Sequence, residues 1–106
     1  MPVAIVAILL FGIVGVVLLR VTGIEKAHSV LLKWSPPAPK PDSTVVGYNV
    51  YRSLPDGSFG FLAYVVAPTY VDTKVSGGAT YYYYVKTVDS AGHESPPSNN
   101  TSATVP

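Results

Sequence analysis

The chain contains no cysteine. That excludes a disulfide framework, a thiolate nucleophile and a thiolate metal site. Charge is also scarce, at 12% of 106 residues, about half the usual share. From Ala27 onward the basic residues Lys33, Lys40, Arg52, Lys74 and Lys86 are matched by Asp42, Asp56, Asp72, Asp89 and Glu94. A neutral folded part offers no basic stripe to a phosphate backbone, so nucleic acid is not an expected partner. Histidine occurs only at 28 and 93, and neither has a second ligand at metal spacing. His93, with Asp89 and Glu94 nearby, reads as a solvated loop. The serines lack a nucleophile-elbow context. "VSGGAT" lacks the lysine and following helix of a phosphate loop. No catalytic residue, metal or cofactor is expected, and the chain reads as a non-enzyme.

What is present begins with "MPVAIVAILLFGIVGVVLL", in which residues 2–19 carry no charge. As a helix these would run about 27 Å, the lower end of a membrane span. Three readings compete. A secretory signal wants basic residues first and a small-residue cleavage site after; nothing basic precedes the run, and "LLRVTGIEK" offers no such site. A membrane anchor is the second, with Arg20 and Lys26 on its far side. A filament core is the third. Ala4, Gly12 and Gly15 fall within about 80° of one another at 100° per residue, with Ala7 beside them, and small residues let apolar helices approach closely.

This leading segment, residues 1–27, resembles the apolar helix of type IV pilins broadly drawn. That helix first sits in the membrane and later forms a filament core. Ile5 stands where bacterial members usually carry Glu. In a bundle of such helices the small-residue stripe of Ala4, Ala7, Gly12 and Gly15 is the expected packing face.

From Ser29 on, short β-branched and aromatic runs alternate with turn chemistry. The runs are "SVLLKWS", "VVGYNVYRS", "FGFLAYVV", "TYVDTKV", "TYYYYVKTVD" and "NTSATV". Between them lie "SPPAPKPDS", "LPDGS", "SGG" and "SAGHESPPS", where Pro cannot continue a ladder and Gly accepts positive φ. Such spacing indicates a two-sheet sandwich. The stretches "VLLKWSPP", "GYNVYRS", "TYVDT", "TYYYYVKTVDSAGHES" and "SNNTSATV" resemble a bacterial fibronectin type III domain across about residues 29–106. The resemblance implies a core containing Trp34, Tyr48, Val50, Tyr81, Tyr83 and Val85, with Tyr81 as the corner tyrosine. It also implies that the first strand is missing, its place being taken by the oily helix. The exposed strand edge is then covered by a neighbouring subunit or by the residues just after the helix.

Side chains alternate across a strand, so Tyr51, Tyr82 and Tyr84 are expected on one outward face. That face serves either sheet stabilisation, subunit contact or glycan binding. Asn99 and Asn100 open the overlapping sequons "NNT" and "NTS", candidate glycosylation sites.

Taken together, the sequence predicts an α+β chain: a hydrophobic helix over 1–27 and a fibronectin type III-like sandwich lacking strand A over 28–106. The leading functional expectation is a structural, pilin-like subunit of an extracellular filament at the cell surface. It would meet the membrane before assembly and then self-associate into a homopolymer. The alternative is a single-pass, membrane-anchored module for binding or adhesion, with glycans as possible partners.

Overall fold

A computed structural model describes residues 3–10, 13–20, 28–54 and 56–106, the first two segments by backbone alone. The described chain is all β. Its strands are β1 (Val3–Leu10), β2 (Ile13–Arg20), β3 (Val30–Trp34), β4 (Val45–Ser53), β5 (Phe59–Val65), β6 (Thr69–Asp72), β7 (Thr80–Asp89) and β8 (Thr101–Thr104). They form two four-stranded sheets, ordered β2-β1-β3-β6 and β5-β4-β7-β8.

The expected N-terminal helix, and with it the α+β class, is overturned. Val3–Leu10 and Ile13–Arg20 pair as antiparallel strands from Val3↔Arg20 to Leu10↔Ile13. The physical reason lies in the residue types. Val3, Ile5, Val6 and Ile8 in β1, and Ile13, Val14, Val16 and Val17 in β2, are β-branched. Branching at Cβ restricts χ1 in a helix and suits a pleated surface, and Gly15 would cost a helix interior about 1 kcal/mol. Apolar content alone measured burial and could not choose between the two periods. The small-residue stripe therefore does not exist as a helix face: Ala4 and Ala7 lie in β1 and Gly15 in β2, while Gly12 lies outside the described residues. No helix of the described residues is long and apolar enough to cross a membrane.

The missing first strand is corrected by the same finding. β1 runs parallel to β3, from Ile5↔Val30 to Leu9↔Trp34. The edge of β3 is thus covered by the chain's own leading segment, from within the stretch expected to be helical.

Alternation along the strands builds the core. Val30, Leu32 and Trp34 face inward from one sheet, and Tyr48, Val50, Tyr83, Val85 and Ala103 from the other, joined by Val105. Leu62, Val65, Tyr70, Val75 and Tyr81 pack against this cluster. Trp34 meets Tyr48 edge-on at 5.3 Å between ring centroids, a favoured aromatic geometry. The Tyr81 hydroxyl accepts from the Ser76 backbone N–H at 2.9 Å, tying the connection after β6 back to β7.

Two inward positions, one on each sheet, carry opposite charges. Arg52 reaches between the sheets to Asp72, which has no solvent exposure. The guanidinium Nη1 stands 2.9 Å from Asp72 Oδ2 and 3.2 Å from Oδ1. The Tyr83 hydroxyl donates to Oδ2 at 2.8 Å, and the Lys74 backbone N–H donates to Oδ1 at 3.1 Å. Arg52 also lies 5.3 Å over the Tyr81 ring. The buried carboxylate is therefore paired and hydrogen-bonded, the condition under which such burial is tolerated.

Candidate functional site

The outer face of the β5-β4-β7-β8 sheet carries the exposed aromatic side chains Phe61, Tyr64 and Tyr82. Register places them in rows across the strands. Tyr51 lies opposite Phe61 on β5 and Tyr84 on β7. Asn49 lies opposite Tyr64 and Lys86. A bulge opposite Val50/Tyr51 inserts one residue into β5. Its effect is to keep both Phe61 and Tyr64 outward while Leu62 and Val65 turn toward the core, because an extra residue switches the two-residue alternation.

Of the three tyrosines expected on this face, two come together. Tyr51 and Tyr84 stack with centroids 4.9 Å apart. Phe61 meets Tyr51 edge-on at 6.0 Å, and Phe59 is tilted against Tyr84 at 4.8 Å. The Lys86 ammonium sits 5.4 Å over the Tyr51 ring. These rings largely cover one another. Tyr82 stands nearer the start of β7, with its backbone N–H donating to Ser53 Oγ at 3.0 Å, and the residue is 47% exposed.

Sequence reasoning did not single out Phe61, Tyr64, Gly47 or Glu94. Phe61 and Tyr64 are 60% and 48% exposed. The tip of the Tyr64 ring occupies the space above Gly47: a Cβ at 47 would lie 2.2 Å from the Tyr64 hydroxyl oxygen and 2.4 Å from Cζ. Glycine inside a strand often marks such a close approach, and that was the available signal. The ring reclines on the sheet, with its hydroxyl 3.4 Å from the Val46 carbonyl.

Glu94 reaches this face from the β7–β8 connection. "SPPS" at 95–98 runs back along β7, where prolines cannot donate. The flanking serines make the bonds to β7: Ser95 N–H donates to the Thr87 carbonyl at 2.9 Å and Ser98 N–H to the Val85 carbonyl at 2.8 Å, while Ser95 Oγ accepts from Thr87 N–H and Ser98 Oγ from Val85 N–H, both at 2.9 Å. Gly92, at φ 86°, turns the loop, and Asp89 Oδ1 accepts from the backbone N–H groups of Ala91 and His93. Those bonds, with His93 foremost, hold the Asp89 carboxyl below its ordinary range. Glu94 Oε2 then accepts from the Asn49 amide at 2.7 Å and from the Tyr51 hydroxyl. Glu94 Oε1 faces Lys86 Nζ at 3.8 Å. The Tyr51 bond holds the Glu94 carboxyl low and pushes the Tyr51 phenol up to about 12.

Burial raises Tyr83 as well, reinforced by its bond to Asp72. The sign of the linkage follows. Above about pH 10 the unfolded chain releases phenolic protons that the folded chain retains. Stability is therefore full below about pH 10 and falls as pH climbs toward 12. Urea melts at about pH 9 and about pH 11.5 are expected to show this loss, and Tyr83→Phe is expected to reduce it. A pH-independent midpoint would contradict the assignment.

Elsewhere, a cleft of about 1020 Å³ opens between the two proline-rich connections, lined in part by Pro37, Pro39, Thr87, His93 and Pro97. Asn99, half-buried, borders it, while Asn100 is exposed. Among the described residues no cluster of three or more metal-ligating side chains occurs.

Two sheets packed over a hydrophobic core have the architecture of β-sandwich modules. The fibronectin type III domain family matches residues 16–104, and the chain belongs to that family. It is similar to an amylopullulanase of Thermoanaerobacter thermohydrosulfuricus, 41% identical over 69% of this chain, and spans about 5% of that protein's length. Among solved structures, the twitchin kinase region of C. elegans superposes with a TM-score of 0.67 at 23% identity, over 79% of this chain and 15% of that one. A fourth fibronectin type III domain of a human protein gives 0.65 at 18%, over all of this chain and 80% of that one. A β-1,2-glucanase from Parabacteroides distasonis gives 0.52 at 32%, over 57% and 9%.

Proposed function

We propose that the chain is a non-catalytic, polysaccharide-associated module: a rigid sandwich that holds a glucan beside a catalytic unit acting on it. The observation that carries this reading is the 41% identity with an amylopullulanase over 69% of the chain. The 32% identity with a β-1,2-glucanase supports it, as does the outward aromatic face. The proposed place of action is the cell surface or the medium, where glucans too large to enter the cell are degraded. A homopolymer core and a membrane stage are not part of the reading, since both required the helix that β1 and β2 replace. Sugars on Asn99 or Asn100 remain compatible with it, because both lie beside the loops and away from the outer face of β5.

The test is electrophoresis of the isolated chain through native gels with and without embedded pullulan, amylopectin or β-1,2-glucan. Retardation by at least one polymer is expected, without release of reducing sugar. Unchanged mobility in every gel overturns glucan association, and sugar release overturns the non-catalytic role.

A further inference from the structure

Resting on that reading, we propose that Tyr64, Asn49, Lys86 and Glu94 form the sugar-binding site, with Tyr64 as the stacking platform for one pyranose ring of a neutral glucan. The rings on this face differ in what already covers them. Tyr51 and Tyr84 lie against each other, with Lys86 above Tyr51, so their faces are engaged. Tyr64 is different. One side of its ring tip rests over Gly47, and the residue is 48% exposed. An aromatic face is electron-rich, and the C–H bonds on one side of a pyranose present the matching positive edge. A ring already reclined on the sheet loses little freedom on stacking.

The polar groups stand beside it in register. Asn49 is directly opposite Tyr64, and Lys86 is the next residue across. Glu94 is held beside Asn49 and Lys86 by its bonds to the Asn49 amide and the Tyr51 hydroxyl. The 3.8 Å between Lys86 Nζ and Glu94 Oε1 exceeds hydrogen-bond length. A sugar hydroxyl bridging the two from the side accepts from the ammonium and donates to the carboxylate. The two charges cancel, so the site suits an uncharged polyol and gives no net attraction to an acidic polymer. Phe61, the next outward side chain on β5, extends the apolar surface for a neighbouring sugar.

Gel retardation by whichever glucan binds the wild type tests the site, with polygalacturonate as the acidic control. Tyr64→Ala is expected to weaken binding about tenfold or more, while Tyr64→Phe keeps the ring and stays within about twofold of wild type. Glu94→Gln is expected to weaken binding several-fold. Val71→Ser, on the opposite sheet, is expected to change nothing. Unaltered circular dichroism shows that each variant is folded. Wild-type binding that survives Tyr64→Ala overturns this site and leaves glucan association standing. Wild type that no glucan retards overturns both. Retardation by polygalacturonate alone overturns the neutral ligand class.

Discussion

Asp72→Ala is expected to destabilise the sandwich by about 3–5 kcal/mol, the range for removing one partner of a buried ion pair. The substitution takes away the acceptor of three groups at once. Arg52 keeps its bond to the Lys74 carbonyl at 2.9 Å but loses its counter-charge. The buried Tyr83 hydroxyl and the Lys74 N–H lose theirs. For a chain of this size 1 kcal/mol shifts the melting temperature by about 4–8 °C, so the loss covers much of the total stability of an ordinary domain. Asp72→Asn keeps an acceptor without the charge and is expected to lie between wild type and Asp72→Ala. The double variant Asp72→Leu with Arg52→Met is expected to cost less than the sum of the single changes, because each single change strands the other partner. Thermal and urea unfolding of wild type, Asp72→Ala, Asp72→Asn, the single variants Asp72→Leu and Arg52→Met and their double variant checks this. Additive losses would show that the contact across the sheets carries little energy.

Trp34→Ala is expected to cost a similar amount, about 3–5 kcal/mol, by a different route. Trp34 is 4% exposed and ends β3 against the ring of Tyr48. Its removal leaves a cavity between the sheets and exposes the edge-on face of Tyr48. Trp34→Phe preserves an aromatic contact and is expected to cost clearly less. Denaturant midpoints at constant slope would report this as a stability change rather than a change in compactness. A Trp34→Ala protein within 1 kcal/mol of wild type would mean that β3 is not anchored through this residue.

Much of the sandwich was legible because its signals are local. Val30, Leu32 and Trp34 alternate with Leu31 and Lys33 in the sequence, and "TYYYYVKTVD" carries the two-residue period that divides Tyr83 and Val85 from Tyr82 and Tyr84. The leading segment was misread because hydrophobicity without alternation does not distinguish a buried strand from an apolar helix. Its β-branched residues held the better clue. The carboxylate network escaped notice because an arginine at an inward position is meaningless until Asp72, twenty residues later, is known to lie across from it.

By itself the amino-acid order determined the strands from β3 onward, the inward set built on Trp34, Tyr48, Val50, Tyr83 and Val85, and the absence of thiol chemistry. Alternation and turn residues act over a few positions, so they can be read along the chain. Only the tertiary structure decided that β1 covers the edge of β3, that Tyr51 and Tyr84 cover each other, that Tyr64 reclines over Gly47, and that Glu94 meets Asn49 and Tyr51. Those outcomes depend on register between strands far apart in sequence. A shift of one residue would turn each of these side chains to the opposite face.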